Sequence, residues 1–396
     1  MNSKKQKKFN YYLGYVSYSG SLFFYYFSMG IFISILSLFL EEKNISTPNI
    51  AFIVSATAIF TVAIQPLIGV LSDFIPQTKR LLYFCTILTL FTGISFIYFR
   101  NVIILFVLNG LTQAIIISIM PLFDTMAEKS EYSYGSIRVW GSIGFAVSVQ
   151  LAGIVYDVIS PNAVFVMFSI STILSFLFLV PIRLSPEKAK KKKRTSTKGS
   201  LLLLFQNKGF ILFLILSFLI LGMHYCNIAY MPMLVVSMGG SATHVGMILL
   251  FQTIFELPVL LITDRLFERF SFRSIMLMIS SLMAIRFFWY SLLPGTQWIT
   301  AMFFFQALTT TLFFVLSIKV VLHMIDVHYV NTALALGSMI GKGIGALAFQ
   351  LIGGQLIDRF GIHVLYQFLG LIALIAFFVS LFFRVDAKEM IPLEQS

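Results

Sequence analysis

The stretch "YGSIRVWGSIGFAVSVQLAGIVYD", residues 134–157, decides the fold. Its apolar side chains run on without a period of two, and as a helix it is long enough to cross a ~30 Å hydrocarbon core, which takes about 20 residues. A strand in a membrane barrel would alternate faces, and an open strand would leave its backbone groups unpaired in lipid. Only the helix remains, and one guanidinium, Arg138, sits about one turn inside it.

Working outward, the chain has 396 residues, of which 58% are hydrophobic and 11% charged. An ordinary soluble domain carries roughly 25% charge. Comparable apolar windows recur along the whole length and predict twelve spans, near 12–40, 49–72, 80–98, 102–124, 135–156, 162–182, 209–233, 242–263, 273–293, 297–318, 330–353 and 362–384. The fold class is therefore an all-α polytopic membrane protein. The basic start "MNSKKQKKF" is followed by an apolar run too long for a cleaved signal and reads as the approach to the first span.

Lys and Arg stay on the cytoplasmic side of a membrane protein. With the N-terminus inside, the outer loops keep only Lys43, Arg100 and Arg359, and Arg286 and Lys342 fall inside spans. The other 23 of the 28 basic residues lie on the inner side. Both termini are thus predicted cytoplasmic and the location is the cell membrane. The net charge of +12 is this topological bias and calls for no nucleic-acid partner. Cys85 and Cys226 fall in separate spans without metal-ligand spacing, so no disulfide framework or metal site is expected. No P-loop, glycine-rich nucleotide fingerprint or HExxH is present, which argues against an enzyme or an ATP-driven pump. No cofactor is expected.

"RLSPEKAKKKKRTSTKGS" (183–200) is the single long hydrophilic stretch. It sets the domain boundaries at 1–186 for one six-helix bundle, 187–206 for a basic cytoplasmic linker and 207–396 for a second bundle. The halves echo each other: "PLIGVLSDFIPQTKR" (66–80) and "PVLLITDRLFERFSFR" (258–273) each carry a proline, an aspartate (Asp73 or Asp264) and later basic residues. Two such pseudo-repeats bind solute near the bilayer midplane.

Two motifs carry a resemblance. "GVLSDFIPQTKR", with Gly69, Asp73, Lys79 and Arg80, resembles the conformational loop signature of the major facilitator superfamily, with Phe74 where a basic residue is usual. "YGSIRVWGSIGF" resembles the fifth-helix signature of the branch containing lactose permease, the phenylpropionate permeases and the nucleoside–proton symporters, with Arg138 kept and Ser136 in place of a second basic residue. The resemblance implies alternating access between two bundles.

Charges at helix centres cost ~2.5–3.5 kcal/mol each on insertion scales, so those retained face a bundle interior or a cavity. Asp124 and Arg138 lie at similar depth on consecutive spans, where a salt bridge is feasible. The matching positions of the branch bind substrate, and a guanidinium fork suits paired hydrogen bonds to solute oxygens; a snorkelling arginine is the competing reading. Glu256, about 14 residues into the eighth span, is the first choice for a coupling proton. Arg286 is its family-implied partner, although the two are offset by roughly 10 Å in depth, and His224 is a candidate relay. Lys342 resembles a branch lysine whose acidic partner is absent here, leaving Glu256 or an anionic solute as its contact. Tyr18 and Tyr25 share a face of the first span with Ser17, Ser21 and Ser28, able to stack on a solute or merely to pack. The tenth span departs from the branch, offering only Gln306 and Thr309 to Thr311.

The sequence-level expectation is a secondary active transporter: proton-coupled symport of a small polar solute, sugars or oligosaccharides ahead of nucleosides and aromatic acids, by a monomer whose partners are that solute, protons and the bilayer. A proton-driven exporter of drugs or metabolites is the alternative; the fifth span lacks the Gly-Pro pair usual in such exporters.

Overall fold

The computed structural model describes residues 3–74, 78–128, 130–182, 206–325 and 330–383. Nearly all of the basic linker lies outside them. Among the described residues every regular element is helical, and twelve helices are long and apolar enough to cross a membrane. They run Tyr11–Glu42, Thr47–Ser72, Lys79–Ile97, Val102–Glu128, Tyr134–Val158, Pro161–Leu179, Lys208–Ser237, Ala242–Thr263, Phe272–Ser291, Thr296–Met324, Ala333–Phe360 and Ile362–Leu381. These are the first to twelfth spans below. Each overlaps its sequence-based expectation, with the largest differences at the ends of the tenth and eleventh spans, which run on to Met324 and Phe360.

Local chemistry sets the ends. Ser160 caps the sixth span by accepting from the Ala163 N–H at 3.2 Å, with Pro161 in the first turn, where a missing N–H costs nothing. Asn207 caps the seventh span from its Oδ1 onto the Phe210 N–H at 3.0 Å, and Ser271 caps the ninth onto Ser274 at 3.2 Å. Gly361 alone separates the eleventh and twelfth spans, and its φ of +89° is a turn that other residues adopt only under strain. Tyr132, in the loop before the fifth span, donates to the Tyr11 carbonyl at 2.7 Å; burial and the neighbouring Glu131 push its hydroxyl up to about 12, so it stays protonated.

The side chains divide as lipid demands. Phe84, Leu261 and Phe378 are well exposed, and such outward apolar residues recur on every span. The same surface in water would aggregate. Inside, small polar residues replace them: Ser21, Ser28, Asn109, Thr112, Ser148, Ser217 and Ser280 are buried, most of them bonded to backbone carbonyls or to one another.

The chain divides into two compact units, Met1–Lys191 with Gly240–Leu250 and Lys192–Gly239 with Phe251–Ser396. Within the first, span one packs on five and six, three on four and six, and two on four. Within the second, span seven packs on eleven and twelve, and nine on ten and twelve. Adding six carries the packing of spans one and three onto that of spans seven and nine, so the duplication read from two loops extends to the packing of these helices.

One span is irregular. Residues Met339–Gly345, "MIGKGIG", form a π-helical segment inside the eleventh. Its glycines explain the tolerance: a Cβ on Gly341 would come within 2.6 Å of the Ser217 carbonyl, so the two backbones touch where side chains would hold them apart.

Candidate functional site

In the first unit the "GSIG" run of the fifth span does geometric work. A Cβ on Gly141 would come within 2.6 Å of the Tyr26 ring, and one on Gly144 would collide with the Phe23 carbonyl. Glycine there brings the first span close enough for the Tyr26 ring to lie under the Arg138 guanidinium, 4.3 Å from carbon to centroid. Arg138 Nε then sits 3.3 Å from Asp124 Oδ1, and Nη1 donates to Ser142 Oγ at 3.3 Å. The carboxylate oxygen receives no well-directed hydrogen bond, so the contact is an ion pair by distance. Each partner is roughly 30% exposed, 30% for Arg138 and 27% for Asp124, which leaves room for a solute oxygen.

The tyrosine stripe is less available. Tyr25 is buried, stacks on Phe123 at 4.4 Å and donates its hydroxyl to the Ile116 carbonyl. Tyr18 is buried edge-on to Tyr132. Both rings pack against neighbours of the first span. Beside Tyr25 lies a small cavity lined by Ser28, Thr86, Thr89, Ile116, Ile119, Thr172 and Ser175; the buried Thr86 hydroxyl has no hydrogen-bond partner.

In the loop motif, Lys79 Nζ donates to the Val180 and Ile182 carbonyls, each at 2.6 Å, and so ties the end of the sixth span. Gly69 and Arg80 are exposed, and the Asp73 side chain lies outside the described residues.

The second unit holds the other candidates. Glu256 is half-buried, and its partner is Gln252, one helical turn earlier, whose Nε2 donates to Oε1 at 3.4 Å. Arg286 is 1% exposed, lies over the Phe287 ring at 4.8 Å, and none of its three guanidinium nitrogens meets a hydrogen-bond acceptor. The expected Glu256–Arg286 pair is accordingly not formed, as the depth offset suggested. Lys342 is exposed on the π-helical segment with Nζ over the Phe314 ring at 4.9 Å, and its expected contact with Glu256 is not made either. His224 is buried with Nδ1 3.3 Å from the Thr310 hydroxyl.

What sequence reading missed is a set of amides. Tyr366 donates to Asn227 Oδ1 at 3.2 Å, Asn227 Nδ2 to Gln306 Oε1 at 2.9 Å, and Gln306 Nε2 to Gln252 Oε1 at 2.9 Å, ending at Glu256. The available signal was the presence of amides in lipid-embedded helices, with Gln252 four residues before the carboxylate.

The family model described as the MFS_1 like family matches residues 15–368. The maltose permease of Geobacillus stearothermophilus is 28% identical over 91% of this chain and 92% of its own. The raffinose permease of Escherichia coli is 23% identical over 91% of this chain and 90% of its own. Among solved structures, the nucleoside transporter NupG superposes with a TM-score of 0.81 at 16% identity, covering 93% of this chain and 98% of that one.

Proposed function

The chain belongs to the MFS_1 like family, and on that premise we propose that it is a proton-coupled symporter of a sugar or small oligosaccharide, working by alternating access between bundles 1–186 and 207–396. That it is a multi-pass secondary transporter follows from its twelve spans and its permease relatives. The names of relatives aligned over nine-tenths of their length favour sugars; nucleosides, from the structural neighbour, and aromatic acids come next.

One observation carries the coupling: Glu256 is a carboxyl group inside an apolar span, half-buried, held by a neutral amide and by no cation among the described residues. Such a group takes up and loses a proton without breaking an ion pair. In the first unit the partly exposed Asp124–Arg138 pair is the proposed solute contact. The carrier is proposed to work as a monomer in the cell membrane with both termini cytoplasmic.

The test is uptake of labelled maltose, raffinose, a nucleoside and an aryl acid into proteoliposomes with and without an imposed pH gradient. Accumulation of a sugar that collapses with a protonophore and in Glu256→Gln is the expected result. Uptake indifferent to the gradient overturns proton coupling; accumulation of a non-sugar alone overturns the substrate class.

A further inference from the structure

Three amides of the second unit, Asn227, Gln306 and Gln252, point one way. Tyr366, Asn227, Gln306 and Gln252 each donate toward Glu256 and, the tyrosine apart, accept on the side away from it. Tyr366, Asn227 and Gln306 are fully buried, on the twelfth, seventh and tenth spans, and Gln252 and Glu256 are on the eighth. A carboxylate is an acceptor only, so it dictates the direction of the donor beside it, and each amide passes that direction on because its oxygen and nitrogen are at opposite ends of one planar group. At the far end, the Tyr366 ring lies 5.5 Å from Tyr290 and 6.1 Å from Phe287, the ring that the unpartnered Arg286 guanidinium covers at 4.8 Å.

We propose that Gln252 and Gln306 are positioning residues, and that the orientation of their amides carries the protonation state of Glu256 across the unit to Tyr366 and thereby to Arg286. The inference rests on Glu256 being the proton site. When Glu256 is a carboxylic acid its O–H donates to Gln252 Oε1; the Gln252, Gln306 and Asn227 amides rotate so that each donates away from Glu256, and Tyr366 becomes an acceptor. No proton travels along the amides, since an amide N–H does not titrate here; only direction is transmitted. This couples two groups that do not touch.

Other charges do not supply the link. His224 and Cys226 on the seventh span and Arg286 on the ninth are the remaining buried titratable or charged groups among the described residues of this unit, with Tyr230, Tyr290 and Tyr366; Lys342 on the eleventh is exposed over the Phe314 ring, and Lys319 on the tenth lies over the Phe267 ring. Gln252 is the side chain that hydrogen-bonds the Glu256 carboxyl.

The experiment follows the carboxylic-acid C=O band by difference infrared spectroscopy during a pH titration of purified protein, alongside the pH profile of sugar uptake. The band should be absent from Glu256→Gln. In Gln306→Met, which keeps volume and removes both hydrogen-bonding atoms, Gln252 loses its orienting partner and the carboxylate a well-held donor. The band midpoint and the uptake profile should both move to higher pH by half a unit or more, a threefold change in proton activity or greater. Tyr366→Phe keeps the ring packing and carries the same test with a shift of the same sign if Gln306→Met does not fold. Thr309→Val, which removes a hydroxyl bonded only to its own helix, is the control and should not move. An unmoved midpoint in Gln306→Met or Tyr366→Phe, with the band still lost in Glu256→Gln, overturns the relay and leaves the proton site standing. A band that persists in Glu256→Gln overturns the proton site and the relay together.

Discussion

Arg138 on the fifth span places its Nε 3.3 Å from Oδ1 of Asp124 on the fourth, with the Tyr26 ring beneath its guanidinium. Both partners are about a third exposed, so their mutual attraction is worth little to folding, on the order of 1 kcal/mol or less. A charged pair retained at so low a return in stability is retained for something else. Asp124→Asn and Arg138→Gln should each lower sugar uptake tenfold or more, while a double-mutant cycle on thermal midpoints gives a coupling below ~1 kcal/mol. Arg138→Lys should behave like Arg138→Gln, because an ammonium cannot stack on Tyr26 and reach Asp124 and Ser142 together. Parental uptake in the single variants would assign the pair to packing.

Arg286 is the reverse case, a cation buried to 1% exposure with no acceptor on any nitrogen. Replacing such a group with an apolar side chain of similar size removes its desolvation cost. Arg286→Met should therefore raise stability by on the order of 1 kcal/mol, seen as a melting point about 1–3 °C higher in detergent, while gradient-driven uptake is lost. A lower melting point would mean that the guanidinium has an anionic partner.

The spans were legible because lipid imposes one rule on every residue of a helix, and a window of hydropathy averages over it. The Asp124–Arg138 contact was legible because consecutive antiparallel spans meet at equal depth, which counting residues supplies. The amide chain was not, since Tyr366, Asn227, Gln306 and Gln252 come from four spans whose rotation about their axes no residue count fixes. For the same reason the expected contact from Lys342 to Glu256 is absent: the lysine sits on a π-helical turn with its Nζ over the Phe314 ring, and a π turn leaves no mark in hydropathy. Tyr18 and Tyr25 do share a face, as their spacing of seven requires, and that face turns out to be the packed one.

Glycines separate packing from motion. A Cβ on Gly345 would come within 2.5 Å of the Phe218 carbonyl and 3.2 Å of the Gly222 Cα, both backbone atoms of the seventh span that cannot swing aside. Gly345→Ala should destabilise by about 1–3 kcal/mol. Gly69, in the loop motif, has open space around it, so Gly69→Ala should melt with the parent. A fall in uptake there without a fall in melting point would mark a role in movement; equal destabilisation in the two variants would refute the packing account.

Asp157, in the last turn of the fifth span, caps the eighth: Oδ1 accepts from the Ala242 N–H at 3.1 Å and Oδ2 from the Thr243 N–H at 2.7 Å, all within the first unit. A carboxylate on two free N–H groups at a helix start satisfies them and meets the positive end of the helix dipole. The glycines alongside permit the approach, since a Cβ on Gly246 would come within 2.9 Å of the Gln150 Cα. Asp157→Ala should cost about 1–2 kcal/mol, and Asp157→Asn less, because the amide keeps one acceptor. Amide hydrogen exchange localises the effect: Ala242 and Thr243 should exchange at least tenfold faster in Asp157→Ala while the sixth and twelfth spans are unchanged. Unchanged exchange at Ala242 and Thr243 would show that their N–H groups are held by something other than this carboxylate.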